Sequence, residues 1–405
     1  MNLDKTREDF PLFRQDNPPA YLDNACVTLK PDSVIETIHD YYTMNPGCAG
    51  RSVHRFGTKV SLGATKARKT LASYINSKEV NELVWTRNAT HSLNQIAKGL
   101  QWNKGDVILT TDREHNSNLV PWIQLEEEQG VDHRVIASNE DNSFSLENFE
   151  RECEKAGENL RMVSVSHVGN LDGVKTPVKE IAKIAHDYGA LVCADAAQST
   201  PHMKVDVQDL DVDFMVMSIH KMLGPTGMGA MWAKQEHLET MRTIQSGGQT
   251  VKTSNYDSVE WENSPSKFEG GLGHFAGMLG AEPAIAYLAN LNMDDVHEKE
   301  IKLNRIMSDG IKDLPGVEII GPEDARQRSG ICSVLLDDLP VHDIALLLDE
   351  AAGVMCRSGN HCVHSWFNDR GHKNGSLRAS AYFYNTEDEA KLFAETLSEA
   401  VNAFS

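Results

Sequence analysis

The chain has 405 residues and a formal charge of −20, because 39 lysine and arginine residues face 59 aspartate and glutamate residues. Apolar residues make up 40% and charged residues 24% of the sequence, a balance that excludes wholesale disorder. The acidic surplus repels nucleic-acid phosphates and anionic lipid, and no basic run longer than two residues offsets it. We therefore expect neither nucleic acid nor a membrane as a partner.

Seven cysteines are present, an odd number, and none of them forms a Cys-x-x-Cys pair. This pattern disfavours a secreted disulfide framework and is typical of reduced thiols. The first residues, Met1 to Asp9, carry acidic side chains and no apolar segment, so no secretory or transit peptide is expected. No stretch approaches the roughly 18 apolar residues of a membrane helix. These features predict a soluble, cytoplasmic protein.

Helical and strand patterns alternate along the chain from about residue 60. Helices are predicted at 60–75, 92–100, 119–129 and 178–188, and strands at 82–85, 106–110, 133–137, 160–165, 190–194 and 213–217. The last two strands are continuous apolar runs, as expected of strands that are covered on both faces. The alternation predicts an α/β fold with a mostly parallel, helix-covered sheet.

After residue 277 the pattern changes to that of a small α+β domain. Helices are predicted at 278–291, 296–314, 341–352 and 388–403, and strands at 317–320 and 331–336. We predict a large domain over residues 20–285 and a small domain made of residues 1–19 and 286–405. The first thirty residues are expected to pack on the small domain or across the boundary.

Two ionisable residues stand at the ends of the two apolar strands. Asp195 closes the run 190–194, and Lys221 follows the run 213–217 and precedes a glycine-rich loop. Read alone, Asp195 is as well explained as a helix N-cap and Lys221 as a surface lysine in a turn. Together, a carboxylate and a desolvated amine at neighbouring strand ends match pyridoxal phosphate, whose aldehyde bonds to lysine and whose ring nitrogen pairs with aspartate.

Two further segments are expected at the same edge of the sheet. Residues 85–92 run from a strand into a helix and offer backbone N–H groups and the Thr90 hydroxyl to a phosphate. His115 follows the strand at 106–110 and reaches the same edge. An ordinary capped helix and an ordinary loop histidine explain these segments equally well when each is read alone.

Several motifs carry a resemblance to a known family when they are read together. They are Tyr21-Leu-Asp-Asn-Ala25, Val53-His54-Arg55, Glu114-His115, Asp195-Ala-Ala-Gln198, Ser218-Ile-His220-Lys221 and Gly224-Pro-Thr-Gly-Met-Gly229. Their order and spacing resemble the class V aminotransferase superfamily over residues 22–385. Within it, the chain is most similar to the group II cysteine desulfurases and selenocysteine lyases, the SufS-like enzymes.

The resemblance implies a pyridoxal-phosphate-dependent transferase of fold type I, with a small α+β C-terminal domain, assembled as a homodimer. Lys221 would hold pyridoxal 5'-phosphate and act in catalysis, Asp195 would pair with its ring nitrogen, and His115 would stack on the ring. Gln198 and Asn170 would flank the phenolic oxygen. The residues implied around the phosphate are Thr90, His91, Ser218 and His220.

The segment from Cys356 to Cys362 bears on the subfamily. SufS-like enzymes carry a sulfur-accepting cysteine in an Arg-x-Gly-x-His-Cys loop, and Cys362 falls on that position. Arg378, with Arg357, would bind the carboxylate of an amino-acid substrate. The alternatives for Cys362 are a buried structural thiol and a metal cluster with His361, His364 and Cys356. Because no fourth ligand is defined, we expect no metal.

The chain also departs from the family pattern. Leu272 stands where the family has a threonine that contacts the partner's phosphate, and His91 stands where it has glutamate. Ser52 and Asn360 replace an asparagine and a histidine, and the tract 364–375 is unlike the short apolar stretch of the family.

The leading hypothesis is a cysteine desulfurase that converts L-cysteine to L-alanine and leaves a persulfide on Cys362. Its implied role is to supply sulfur, through a sulfur-acceptor protein, for iron–sulfur cluster assembly. The alternatives on the same scaffold are a selenocysteine lyase, a C–S lyase or an amino-acid epimerase. A non-catalytic partner-binding homologue is a more distant one. A nicotinamide-binding fold is disfavoured because no Gly-x-Gly-x-x-Gly follows the first strand.

Overall fold

The computed structural model describes residues 3–337 and 339–404, and its strands form one large and one smaller sheet. The large sheet has seven strands in the order β2-β8-β7-β6-β5-β3-β4; only β8 runs antiparallel to its neighbours. The smaller sheet, β11-β12-β15-β14, is antiparallel. The strands are β1 Ala20–Tyr21, β2 Leu83–Thr86, β3 Val107–Thr111, β4 Asp132–Ile136, β5 Leu160–Ser166, β6 Leu191–Asp195, β7 Phe214–Ser218, β8 Gly229–Ala233, β9 Val251–Ser254, β10 Val259–Trp261, β11 Val317–Ile319, β12 Ile331–Leu336, β13 Val354–Met355, β14 Arg357–Gly359 and β15 Ser376–Ser380.

Helices cover both faces of the large sheet. They are α1 Asp32–Thr43, α2 Arg55–Tyr74, α3 Ala89–Gly99, α4 Val120–Gln129, α5 Leu146–Ala156, α6 Val178–Asp187, α7 Ser199–His202, α8 Val207–Leu210, α9 Gln235–Thr240, α10 Phe275–Ala289, α11 Met293–Ile311, α12 Val341–Ala352, α13 His364–Asp369 and α14 Glu387–Phe404. In β6, Val192 and Ala194 belong to one buried cluster and Cys193 to another, because successive side chains of a strand point to opposite faces. The prediction of a mostly parallel, helix-covered sheet is confirmed.

The smaller sheet has its own core, formed with helices α11, α12 and α14. The N-terminal segment contacts both cores. Phe10 is buried in the large cluster, whereas Ala20 pairs with Val354 and Leu22 is buried in the smaller cluster. The chain therefore crosses between the two bodies before the first long helix begins. The domain boundaries drawn after residues 19 and 285 stay a prediction.

Several elements have no counterpart among the sequence predictions, and they include α1, α5, β8, α13 and β15. The strands β8 and β15 are five residues long, and so short a run carries too little periodicity to distinguish a strand from a loop. Both strands matter to function. The strand β15 carries Arg378. The strand β8 begins at Gly229, where a Cβ would lie 2.5 Å from the Cα of Asn88, the N-cap of α3. Among residues 3–337 and 339–404, no helix has the length and apolar composition needed to cross a bilayer.

A buried ion pair stabilises the loop that follows β5. The Arg113 guanidinium, 3% exposed, donates to the fully buried Asp172 carboxylate at 2.9 Å, and the Val174 N–H donates to the same carboxylate at 3.0 Å. We expect Asp172→Ala to lower the free energy of unfolding by about 3–5 kcal/mol, because Arg113 would stay buried without its counter-ion.

Urea unfolding of the apo protein, followed by circular dichroism, measures this effect. The control is Asp388→Ala, which removes an exposed carboxylate paired with Lys391 and is expected to leave the midpoint unchanged. Equal midpoints for the two variants would contradict the prediction.

Candidate active site

A cavity of about 210 Å³ lies where the carboxyl ends of β5, β6 and β7 meet the smaller sheet. Ligands of open α/β sheets bind at this edge. All of the predicted site residues except His91 line the cavity: Thr90, His115, Asn170, Asp195, Gln198, Ser218, His220, Lys221, Arg357, Cys362 and Arg378. Their individual roles remain predictions, but the tertiary structure brings them together.

Of the ionisable pair at the strand ends, Asp195 is buried and Lys221 is half-buried. Asp195 is the last residue of β6, and Lys221 ends the short 3-10 turn that follows β7. Burial lowers the pKa of Lys221, and the nearby Asp195 carboxylate partly opposes that effect. Burial raises the pKa of Asp195, while the Ala197 N–H, which donates to its Oδ1 at 3.0 Å, acts in the opposite direction. Burial thus disfavours the charged form of each group, and each charge partly offsets that effect in the other.

The start of α3 forms one wall of the cavity. Asn88 caps the helix by accepting the His91 N–H at 2.9 Å, and the Ala89 N–H donates to the Ser218 hydroxyl at 3.1 Å. The Thr90 and Ser117 hydroxyls are hydrogen-bonded at 2.6 Å. This combination of a helix N-terminus and hydroxyl groups suits a phosphate.

His91 stands apart from that wall. Its Nδ1 accepts the Arg87 N–H at 3.2 Å, and the side chain does not line the cavity. The expectation that it surrounds the phosphate therefore gains no support from the geometry. The His91 backbone N–H donates to the Asn88 side chain, which caps α3, so the imidazole takes no part in the cap.

His115 presents a neutral imidazole to the cavity. Burial, together with the positive charges of Lys221 and Arg378, lowers its pKa to about 3. Its Nδ1 accepts the Ser117 N–H at 3.0 Å, which fixes the ring. The preceding Glu114 is buried and accepts hydrogen bonds from the Ser166 N–H and hydroxyl. An uncharged, oriented ring at this position is suited to stacking on a flat ligand.

Two amides complete the inner wall. Gln198 donates from Nε2 to the Ala25 carbonyl at 2.8 Å, and its buried Oε1 has no hydrogen-bond partner among the described residues. Asn170 donates from Nδ2 to the His361 carbonyl at 2.7 Å. A buried amide oxygen without a partner at a cavity wall is costly unless a ligand satisfies it.

The loop that carries Cys362 is held from several sides. His361 and Cys362 both have left-handed backbones, with φ of 47° and 60°, a costly conformation for non-glycine residues. The Asn116 N–H donates to the Cys362 carbonyl at 2.7 Å, and the Val363 N–H donates to that of Asn360 at 2.7 Å. The Cys362 side chain is partly exposed at the cavity, which disfavours the structural-thiol alternative.

Two guanidinium groups face each other beside this loop. Arg357 of β14 pairs in register with Arg378 of β15. Arg378 is 1% exposed and donates to the Asn170 carbonyl at 2.9 Å and to the Asp23 carboxylate at 3.2 Å. Its Nε is buried without a partner among the described residues, and burial lowers its pKa. The pair is suited to binding a carboxylate.

Several residues of the cavity wall were not predicted from the sequence as members of the site: Cys26, Asn88, Ser117, Ser166 and His361. A signal existed for Cys26, which directly follows the Tyr21–Ala25 motif. No three His, Cys, Asp or Glu side chains cluster as metal ligands would within the described part of the chain.

Residues 20–393 match the family model described as Aminotransferase class-V. The chain therefore belongs to the class V aminotransferase family, and the resemblance and the fold class predicted from the sequence are confirmed.

Within that family, the similar proteins include cysteine desulfurases of full length. A probable cysteine desulfurase of Halalkalibacterium halodurans is 35% identical, with 100% of this chain and 99% of the relative covered. The cysteine desulfurase of Haloferax volcanii is 33% identical, with coverages of 100% and 98%. Among solved structures, the cysteine desulfurase from Thermococcus onnurineus superposes with a TM-score of 0.93 at 32% identity, covering 98% of each chain. The cysteine desulfurase CsdA from Escherichia coli gives 0.91 at 27% identity, with coverages of 100% and 99%.

Proposed function

We propose that the protein is a pyridoxal-phosphate-dependent cysteine desulfurase, which releases L-alanine from L-cysteine and keeps the sulfur as a persulfide on Cys362. The observation that carries the proposal is that one cavity contains Lys221, the buried Asp195, a partly exposed cysteine and two guanidinium groups. The full-length similarity to cysteine desulfurases supports the same activity.

The residues of the cavity fit pyridoxal 5'-phosphate. Lys221 would hold its aldehyde carbon and Asp195 its ring nitrogen, and the α3 N-terminus with the Ser218 hydroxyl would hold its phosphate. The unpartnered Gln198 Oε1 indicates a polar group that the protein itself does not supply. When bound, the cofactor supplies an electron sink that stabilises negative charge at the substrate Cα.

Side chains of the cavity bind the substrate, transfer the proton and accept the sulfur. Arg378 and Arg357 orient the substrate by its carboxylate, since a guanidinium matches a carboxylate in a bidentate pair. The Lys221 amine, whose pKa is lowered by burial, takes the proton from Cα and returns one to the substrate. The Cys362 thiolate then attacks the substrate sulfur: an S–S bond forms, the C–S bond breaks, and its electron pair stays on the carbon that becomes the alanine methyl group.

The proposal includes partners of this reaction. A sulfur-acceptor protein takes the sulfur from Cys362 for iron–sulfur cluster assembly in the cytoplasm, consistent with the partial exposure of this thiol. The active assembly is a homodimer. The exposed apolar side chains of Val53 and Leu272 support it, because they lie on two loops joined by a hydrogen bond from Arg51 to the Gly271 carbonyl.

The proposal is tested by incubating the holoenzyme with L-cysteine and a thiol reductant. We expect a visible absorbance band from the bound cofactor, and alanine and sulfide in equal amounts. Pyruvate with ammonia would indicate a C–S lyase, and D-cysteine an epimerase. A protein that binds no pyridoxal phosphate and forms no product would favour the non-catalytic alternative. Any of these three results would overturn the proposal.

A further inference from the structure

A second thiol faces the same cavity as Cys362. Cys26 lines the cavity and is partly exposed, as Cys362 is. The other cysteines are absent from the cavity wall: Cys48, Cys153, Cys193, Cys332 and Cys356. The reaction proposed above uses Cys362 and assigns nothing to Cys26.

Cys26 is held in place by the substrate-binding face of the site. The Arg357 guanidinium donates from Nη1 to Cys26 Sγ at 2.9 Å, a charge-assisted contact. The Cys26 N–H donates to the Asp23 carbonyl at 3.1 Å, and the Ala25 carbonyl accepts from Gln198. Arg357, which contacts the sulfur, and Ala25, which precedes Cys26 in the chain, both line the cavity. The sulfur is therefore held at the cavity wall.

This setting differs from that of the structural cysteines. Burial among apolar groups raises the pKa of Cys153 and of Cys356 to about 12, which keeps both as inert thiols. Cys26 instead has the Arg357 guanidinium and the Asp23 carboxyl group as direct neighbours, and an open cavity in front of it. A nucleophilic role fits this position better than a packing role.

We propose that Cys26 is a second sulfur acceptor, which takes the outer sulfur of the Cys362 persulfide. The inference rests on the proposed function, because Cys362 must first receive sulfur from cysteine. The Cys26 thiolate attacks the outer sulfur, a new S–S bond forms on Cys26, and the bond between Cys362 Sγ and that sulfur breaks. Cys362 leaves as a thiolate, so the exchange involves no net oxidation or reduction.

The consequence is a storage step within the chain. Once Cys362 is a thiolate again, it can accept sulfur from a second substrate before an external acceptor arrives. The enzyme would then hold two transferable sulfur atoms, one on each thiol. Delivery to a partner protein would proceed from Cys362, from Cys26, or from each in turn.

The test is a rapid-quench measurement of the alanine burst from the holoenzyme with L-cysteine, without reductant. We expect about two equivalents of alanine per chain in the wild type and about one in Cys26→Ser. Serine keeps an oxygen acceptor for Arg357, so a purely positioning role for Cys26 predicts an unchanged burst. Cys356→Ser removes a nearby thiol outside the cavity and is expected to behave as the wild type.

Alkylation followed by peptide mass spectrometry locates the sulfur in the same samples. Persulfides are expected on both Cys26 and Cys362 in the wild type, and on neither in Cys362→Ala. A single-equivalent burst with persulfide on Cys362 alone would overturn the relay, as would a Cys26–Cys362 disulfide formed with release of sulfide. Persulfide on Cys26 in Cys362→Ala would overturn the order of transfer. A wild type that forms no alanine would instead refute the proposed function, and the relay with it.

Discussion

Replacing Lys221 with alanine is expected to reduce alanine formation from L-cysteine by at least about 1,000-fold, because the variant lacks the group that moves the Cα proton. The visible band of the lysine-bound cofactor is expected to disappear as well. The side chain lines the cavity, and burial lowers the pKa of its amine, which suits the amine to act as a base there. Absorbance spectra and alanine quantification measure the two effects.

The matched control is Lys221→Arg. Arginine restores a positive charge beside Asp195, but its guanidinium stays protonated and cannot serve as a base. We expect this variant to be as inactive as Lys221→Ala. Circular dichroism of both apo variants establishes that they are folded. A cofactor band or substantial turnover that survived in Lys221→Ala would place the cofactor lysine elsewhere in the chain.

Replacing Cys362 with alanine is expected to lower alanine formation from L-cysteine by at least about 100-fold while the cofactor band remains. The thiol lies at the cavity wall on a loop whose backbone is held by Asn116 and Asn170, and no catalytic group of the cofactor pocket depends on its side chain. The loss should therefore appear in turnover and not in cofactor binding.

The control is Cys356→Ala, six residues earlier in the chain and outside the cavity, which is expected to retain turnover. L-selenocysteine serves as a second substrate, because selenide leaves carbon more readily than sulfide and depends less on an attacking thiol. Selenocysteine turnover that survives in Cys362→Ala, with cysteine turnover lost, is the expected pattern. Undiminished cysteine turnover in this variant would refute the role of Cys362 as nucleophile.

Much of the large sheet was predictable because its strands are buried on both faces. Runs such as residues 190–194 and 214–217 are apolar throughout, and the polar residue that follows each run marks the edge of the sheet. Asp195 and Lys221 stood out for this reason. The strands β8 and β15 were missed because five residues beside a glycine-rich or polar segment carry too little periodicity to separate a strand from a loop.

Most residues of the site were predicted from the sequence, but the contacts between their side chains were not. The sequence predicts a helix at 92–100, directly after His91. It does not show that the His91 N–H donates to Asn88, that the His91 Nδ1 accepts the Arg87 N–H, or that the side chain is absent from the cavity wall. Cys26 and Arg357 lie 331 residues apart in the chain, so only the packing of the N-terminal segment against the smaller sheet could bring the thiol to the guanidinium.

The amino-acid sequence by itself determined the parallel α/β architecture, the lysine and aspartate at the strand ends, and the family to which the chain belongs. Each of these depends on local information: strand burial, short motifs and their order. The tertiary structure alone decided which side chains share the cavity, that Arg378 pairs in register with Arg357 on two antiparallel strands, and that two of the seven thiols line the cavity. Those contacts join segments that are far apart in sequence, and the packing of the two sheets sets their distances.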